Sequence, residues 1–342
     1  MIRKLMCVAP GKLTWQAADD PAVTRSTDVR VRSEFAAPKH GTELAFYKGS
    51  VPARGTLDPD YQIWRPGEAS WGYPNQMGNM IVGRVEEVGS KVKEIAVGDR
   101  VCLYSGFQEQ CVEQEADVWK MPADLSWKSA VCLDPADFAF GAVRDGHVRI
   151  GDGVAIFGLG AIGLMCIQFA RLAGAAPVIG VDYLANRRAV AEELGATTAL
   201  DPGACDVALE IKKATGRRGV DVAIDFRGSV ASLQAALRAV AYGGNVVAGA
   251  MPAPYPVGLD LGAESHINVP NLVFSRACSQ PDRDHPRWNN GRIYESCWRL
   301  LCEGKVTGEP IVGPIVSFND LLIEYPKIAN HPDKIIKLGV RF

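Results

Sequence analysis

No stretch of this 342-residue chain approaches the roughly eighteen consecutive apolar residues of a membrane-crossing helix. The N-terminal MIRKLMCVAP runs straight into a strand-like pattern without the apolar core of a secretion signal, so neither a membrane partner nor an export segment is expected. Charge of one sign is also missing. The formal net charge is −2, with Lys and Arg scattered, which argues against nucleic acid or an anionic membrane as partner. None of the nine cysteines forms a C-x-x-C pair, and their number is odd. Reduced, mostly buried thiols in a cytoplasmic protein fit better than a disulfide framework. Finally, no long helical pattern occurs before about residue 128. The length exceeds one ordinary core and predicts two domains, the first of them rich in strands.

What is present centres on residues 153–182, GVAIFGLGAIGLMCIQFARLAGAAPVIGVD. Val154 to Phe157 form a short apolar run; Gly158, Gly160 and Gly163 follow in G-x-G-x-x-G spacing, with Ala161 and Ile162 between the last two; a helical apolar pattern then begins at once. This reads as strand, tight turn and helix. The first glycine permits the turn, the second lets a pyrophosphate approach the backbone, and the third lets the helix pack close to the strand. Unpaired N–H groups at the helix start would face the phosphates. A second apolar run, Pro177 to Val181, ends at Asp182, whose carboxylate could accept hydrogen bonds from an adenosine ribose diol and would repel a 2′-phosphate. NAD is therefore the expected cofactor rather than NADP. Arg187 and Arg188 could cap adenine or be solvated charges of the next helix.

Around this unit the chain falls into two patterns. Residues 1–35 alternate apolar and polar in patches such as Val29 and Val31, as antiparallel strands do. A short helical start follows near Thr42. Residues 50–76 are rich in Pro, Gly and aromatics, among them Trp64 and Trp71, and read as a long loop that could act as a lid. Two strands follow from Asn79, and helical spacing begins near Ser129. After Asp182, strands and helices of about ten residues alternate to about Ala248, which implies a parallel sheet with right-handed crossovers. Residues 265–291 are polar and Pro-rich with little periodicity, and a final helix spans Arg292 to Cys302.

Several motifs together give the chain a family resemblance: G-x-V-x-x-V-G at Gly83 to Gly89, GDRV at Gly98 to Val101, GLGAIG at Gly158 to Gly163, the strand ending in Asp225 with Gly228, and DKIIKL at Asp333 to Leu338. With these, the sequence resembles the medium-chain dehydrogenase/reductase family over nearly its whole length. The resemblance implies an α/β fold in which a GroES-like β-rich catalytic domain is joined to a Rossmann doubly wound parallel-sheet domain. The expected boundaries are 1–135 and 278–342 for the first and 136–277 for the second. It also places Lys337 near the cofactor pyrophosphate and implies a homodimer or homotetramer.

The zinc-dependent branch of that family carries a cysteine followed by Gly-Ser/Thr-Asp, where this chain has His40-Gly41-Thr42-Glu43. Where that branch has Gly-His-Glu, this chain has Gly78-Asn79-Met80, and the four-cysteine structural lobe is missing. Asn79 is a poor zinc ligand, and Met80 is a soft, neutral one. His40 and Asp134 are the two positions left with plausible ligands, too few for a catalytic site, so no zinc is expected; the alternative is an altered site completed by a residue that the sequence does not identify. Without a Lewis acid, oxidation of a secondary alcohol needs a positioned base, and His suits that at neutral pH. The resemblance therefore suggests that His40 accepts the proton, that Thr42 orients the substrate hydroxyl, and that Asp134 orients the imidazole or holds a second hydroxyl. Tyr47, Lys48, Trp64, Trp71, His266 and His285 are candidates for binding the small-molecule substrate. Three readings follow: an NAD-dependent, zinc-independent oxidoreductase for a sugar, cyclitol or polyol derivative; an enoyl or quinone reductase, which Asp182 disfavours; or a nucleotide-binding regulator without catalysis.

Overall fold

Alternation of buried and exposed side chains builds the first strands. The structure, a computed structural model, describes residues 1–342 apart from 53, 68–71, 256, 278, 280 and 332, and apart from the side chain of His40. Strands β1 (Ile2–Ala9), β2 (Lys12–Ala18) and β3 (Asp28–Ala37) lead into helix α1 (His40–Tyr47), followed by β4 (Thr56–Asp58), β5 (Ile63–Arg65), β6 (Asn75–Gln76), β7 (Met80–Val88), β8 (Arg100–Tyr104), β9 (Gln110–Gln114) and β10 (Val118–Lys120). Helices α2 (Trp127–Ala130) and α3 (Leu133–Asp145) precede β11 (Val154–Phe157), α4 (Ala161–Leu172), β12 (Val178–Val181), α5 (Ala185–Glu193), β13 (Thr198–Leu200), α6 (Val207–Ala214), β14 (Val220–Asp225), α7 (Val230–Ala239) and β15 (Val240–Ala248). The chain closes with α8 (Glu264–Asn268), β16 (Asn271–Phe274), α9 (Asn290–Cys302), β17 (Val312–Ser317), α10 (Leu321–Asn330) and β18 (Lys337–Arg341).

Two units result, Met1–Ala123 with Gly313–Phe342, and Asp124–Val312. Residues 124–135 and 278–312, expected with the β-rich domain, thus group with the second unit. The reason is packing: α3 lies against both α4 and α9, and the Gln168 side chain on α4 bonds both the carbonyl and the N–H of Thr307 at 3.0 and 2.8 Å.

In the first unit, one sheet has the order β10-β8-β7-β3-β18-β17 with β9 also paired to β3, and a smaller sheet has the order β2-β1-β6. Strand β18 pairs antiparallel to β3, so residues more than 300 positions apart join one sheet. Val29, Val31, Ile81, Val101, Leu103 and Val340 join Phe107 and Tyr325 in its core. The long loop expected over residues 50–76 contains a two-stranded hairpin, β4 with β5, and β6, which pairs with β1. Such short pairings escape a search for periodicity because two or three residues show none.

The second unit is a six-stranded parallel sheet in the order β13-β12-β11-β14-β15-β16, the doubly wound arrangement expected from the βα alternation. Its sixth strand and α8 lie in a segment that the sequence pattern left irregular. β16 is an edge strand with little burial, so it lacks the apolar run that marks the buried strands.

In β7, a Cβ on Gly83 would stand 2.2 Å from the Arg32 carbonyl oxygen across the ladder and 2.6 Å from the Val31 side chain. Gly83→Ala should therefore lower unfolding stability by about 1–3 kcal/mol through forced separation of β3 and β7. An unchanged urea midpoint would contradict the close approach.

Candidate active site

The glycine turn of the second unit is built as its sequence implies. Gly158 has φ of +90°, a backbone region that favours glycine, and a Cβ there would lie 2.8 Å from the Arg227 nitrogen. A Cβ on Gly163 would lie 2.0 Å from the Gly158 carbonyl oxygen, whereas one on Gly160 would meet nothing within 4 Å. Gly160 is the N-cap of α4 and supplies no side-chain cap, so the N–H groups of the first turn, at Ala161, Ile162 and Gly163, lie behind open space. That is a cradle for a phosphate. The turn lies at the carboxyl end of β11, beside β14, where the strand order reverses and such sheets bind nucleotides.

Asp182 is buried just past β12 and accepts hydrogen bonds from the N–H groups of Leu159 at 2.8 Å and Leu184 at 2.9 Å. It therefore ties the glycine turn to the second strand. Arg187 stands 3.6 Å from the same carboxylate, and its buried Nε has no acceptor among the described residues. Arg188 is committed to the carbonyls of Asp182 and Tyr183 and to Asp201. At the end of β14, Asp225 accepts from the N–H groups of Arg227 and Gly228 and from the Ser232 hydroxyl, and burial pushes its carboxyl up.

In the first unit, His40 opens α1, and its side chain lies outside the described residues; Thr42, two positions on, is half-buried. Glu43 organises this corner. Its carboxylate accepts from the Tyr325 hydroxyl at 2.6 Å, from the Lys39 N–H at 3.1 Å, and from the Gly78 N–H. The residue keeps some surface, but protein encloses its carboxyl, and that burial pushes its pKa up against the pull of these donors and the Lys337 charge. The Tyr325 hydroxyl is pushed well above its ordinary range, by burial first and then by Glu43. The sequence reading passed over this cluster because Glu43 and Tyr325 are 282 positions apart.

The other expected site residues take these places. Lys337 is not an exposed strand-end charge: it is buried, and its Nζ donates to the Pro38 carbonyl at 2.6 Å. Tyr47 belongs to the core, donating to the Gly11 carbonyl and meeting the Tyr325 ring edge-on at 5.5 Å. Lys48 is exposed at the end of α1, Trp64 is exposed on β5, and Trp71 lies outside the described residues. Asp134 is buried in the first turn of α3, in the second unit. His266 and His285 are exposed. The segment around His285 is pinned by Trp288, whose ring is flanked by the guanidinium groups of Arg144 at 3.7 Å and Arg292 at 4.1 Å. Two cavities of the second unit, about 660 and 330 Å³, share His147 and Arg149. The larger touches Leu172 and Ala173 at the far end of α4 from the glycine turn, so neither is the nucleotide crevice.

Comparison with known proteins bears on this geometry. A family model described as zinc-binding dehydrogenase matches residues 161–278, and one described as alcohol dehydrogenase GroES-like domain matches residues 50–138. The D-guloside 3-dehydrogenase of Escherichia coli (strain K12) is 42% identical, with 100% of both chains covered. The chain belongs to the medium-chain alcohol dehydrogenase family. The (R,R)-butanediol dehydrogenase of Bacillus subtilis (strain 168) is 31% identical over 73% of this chain and 76% of its own. Among solved structures, a 2R,3R-butanediol dehydrogenase from Bacillus subtilis superposes with a TM-score of 0.80 at 24% identity, each chain fully covered. The protein is thus an oxidoreductase of the alcohol and polyol dehydrogenase class, and the regulator reading falls away.

The family name implies zinc, but the donors present do not fit a catalytic zinc ion. Asn79 and Met80 stand at two ligand positions of the zinc branch that the sequence resembles, Met80 is fully buried in β7, and neither side chain is an ordinary zinc donor. Such a site needs three ligands and an open position.

Because folding raises the pKa of Glu43, its protonated form is favoured in the native state. The resulting stabilisation is complete below the ordinary carboxyl range and is lost as pH rises through the raised value. Urea unfolding from about pH 4 to about pH 8 should show wild type losing stability relative to Glu43→Gln as pH rises. Parallel profiles would contradict this.

Proposed function

We propose that this protein is an NAD-dependent, metal-independent dehydrogenase acting on a secondary ring hydroxyl of a sugar glycoside, with the C3 hydroxyl of a hexoside as the first candidate. The observation that carries the substrate class is the 42% identity, over the full length of both chains, to a D-guloside 3-dehydrogenase. The preference for NAD rests on Asp182, whose carboxylate at the tip of β12 would face a ribose diol favourably and a 2′-phosphate unfavourably.

When bound at the glycine turn, nicotinamide would supply the acceptor for the hydride that leaves the carbinol carbon. The remaining work falls to the chain's own residues. His40, at the first position of α1, takes the hydroxyl proton as the bond to hydrogen breaks at carbon. Thr42 lies two residues on in the same helix and orients that hydroxyl. Glu43 fixes the helix that carries both, through bonds to Lys39, Gly78 and Tyr325. Metal independence rests on the donor set described above.

Two features support the cellular reading. None of the eight cysteines among the described residues is in a disulfide, and six of them are buried, in keeping with a reducing cytoplasm. β16 ends its sheet as an open edge with Leu272 and Phe274 exposed, a strand that a second copy of the chain would cover in a homodimer or homotetramer. Sedimentation velocity finding monomer alone at micromolar concentration would remove the oligomer from this reading.

Purified enzyme given methyl D-guloside should reduce NAD much faster than NADP, with zinc well below one equivalent by elemental analysis. His40→Ala should lower kcat by about 10²–10⁴-fold while leaving NADH binding intact. Turnover of simple enones but not of glycosides would overturn the substrate class. Stoichiometric zinc lost together with activity on chelation would overturn metal independence.

A further inference from the structure

Asn79 begins the segment that enters β7, and its side-chain Nδ2 is buried with no acceptor among the described residues. Native proteins pair the large majority of such groups, so a buried donor left open is a feature to be explained. The backbone around it is fixed. The Asn79 N–H donates to the Ala37 carbonyl at 3.2 Å, and its carbonyl accepts from the Ser105 N–H at 3.0 Å. Gly78, immediately before it, has φ of +96°, and a Cβ there would lie 2.4 Å from the Phe107 nitrogen. The carboxamide thus stands on a rigid strand start rather than on a free loop.

The same bonds set the Asn79 backbone beside the segment that leads into α1. Ala37, which pairs with Asn79, lies just ahead of Pro38, Lys39 and His40. The Glu43 carboxylate takes the N–H groups of Lys39 and Gly78 together. The start of α1 and the residue before Asn79 are therefore held by one side chain, so an open donor sits next to the helix that carries His40 and Thr42.

We propose that the Asn79 carboxamide donates a hydrogen bond to the oxygen of the reacting secondary alcohol, stabilising the negative charge that gathers there as hydride leaves. The inference rests on the metal-independent reading above and deepens it. In the oxidation, the C–H bond breaks with its electron pair passing to the nicotinamide, and the O–H bond breaks with its proton passing to His40. Between these events the oxygen carries more charge than in either alcohol or ketone, and a fixed N–H donor binds that state more strongly than either end state. A cation held by the zinc branch at this place would polarise the same oxygen. A neutral carboxamide on a rigid strand meets the need by geometry, with no ion to hold. Its lack of a partner in the free protein follows: the intended acceptor is the substrate.

The test uses Asn79→Leu, which keeps the branched shape and removes both polar atoms. Turnover with NAD is measured for methyl D-guloside, sorbitol and 2,3-butanediol, with ordinary substrate and with deuterium at the reacting carbon, and Tm is measured without ligand. The expected result is a fall in kcat on the order of 10²–10³-fold with a smaller change in KM. A larger primary isotope effect in the variant and a Tm equal to or above wild type should accompany it, since the Nδ2 donor has no partner to lose in the free protein. A kcat within about threefold of wild type overturns the proposal. So does a Tm lowered by several degrees or a variant that fails to fold, either of which marks Asn79 as a structural group and can be read without any substrate. Zinc lost with activity from the wild type overturns the metal-independent reading and this inference with it, whereas full activity in a zinc-free variant overturns this inference alone.

Discussion

The Glu43 carboxylate accepts hydrogen bonds from the start of α1, from the turn before β7 and from Tyr325 near the C-terminus. Three distant parts of the chain meet at one side chain, and the proposed proton acceptor, hydroxyl and oxygen donor all lie on segments it holds. Without that junction, α1 has only a weak N-terminus, because Lys39 at its N-cap makes no side-chain cap bond. The carboxylate reaching back to the Lys39 N–H supplies half of what a capping box would. The cost is a buried acid, and the donors around it offset only part of that cost.

The second unit depends on a simpler constraint. Gly163 must pass close to the Gly158 carbonyl for α4 to start directly above β11, and that start is what leaves the first-turn N–H groups uncapped behind open space. Asp182 then ties the turn to β12 through the Leu159 N–H. This carboxylate holds the turn in the free protein, and in the proposed NAD complex its remaining lone pairs would meet the ribose. Arg187 offsets its charge without closing it off.

The two units also differ in how sequence change has altered them. The nucleotide unit keeps every element of its expected pattern, since each is local in sequence. The first unit keeps the family's sheet, but His40 stands where the zinc branch that the sequence resembles has cysteine, and Asn79 and Met80 stand where it has histidine and glutamate. The buried Lys337 bears on the same corner. Its ammonium serves Pro38, next to the start of α1, and lowers the burden on Glu43 by its charge.

Sequence alone determined the class of fold, the glycine turn and the acid at the end of the second parallel strand. Each of these is written in neighbouring residues, where spacing and side-chain chemistry act directly on the backbone. Tertiary structure decided the rest. That Tyr47 packs inward, that Lys337 is buried and that residues 278–312 group with the second unit depend on which surfaces meet after the chain has folded. The edge strand β16 and the hairpin of β4 with β5 were hidden for a related reason: short or exposed strands are held by a partner's hydrogen bonds rather than by an apolar rhythm of their own. The Glu43 junction joins residues 282 positions apart, and only the closing of β18 onto β3 brings them within reach of a hydrogen bond.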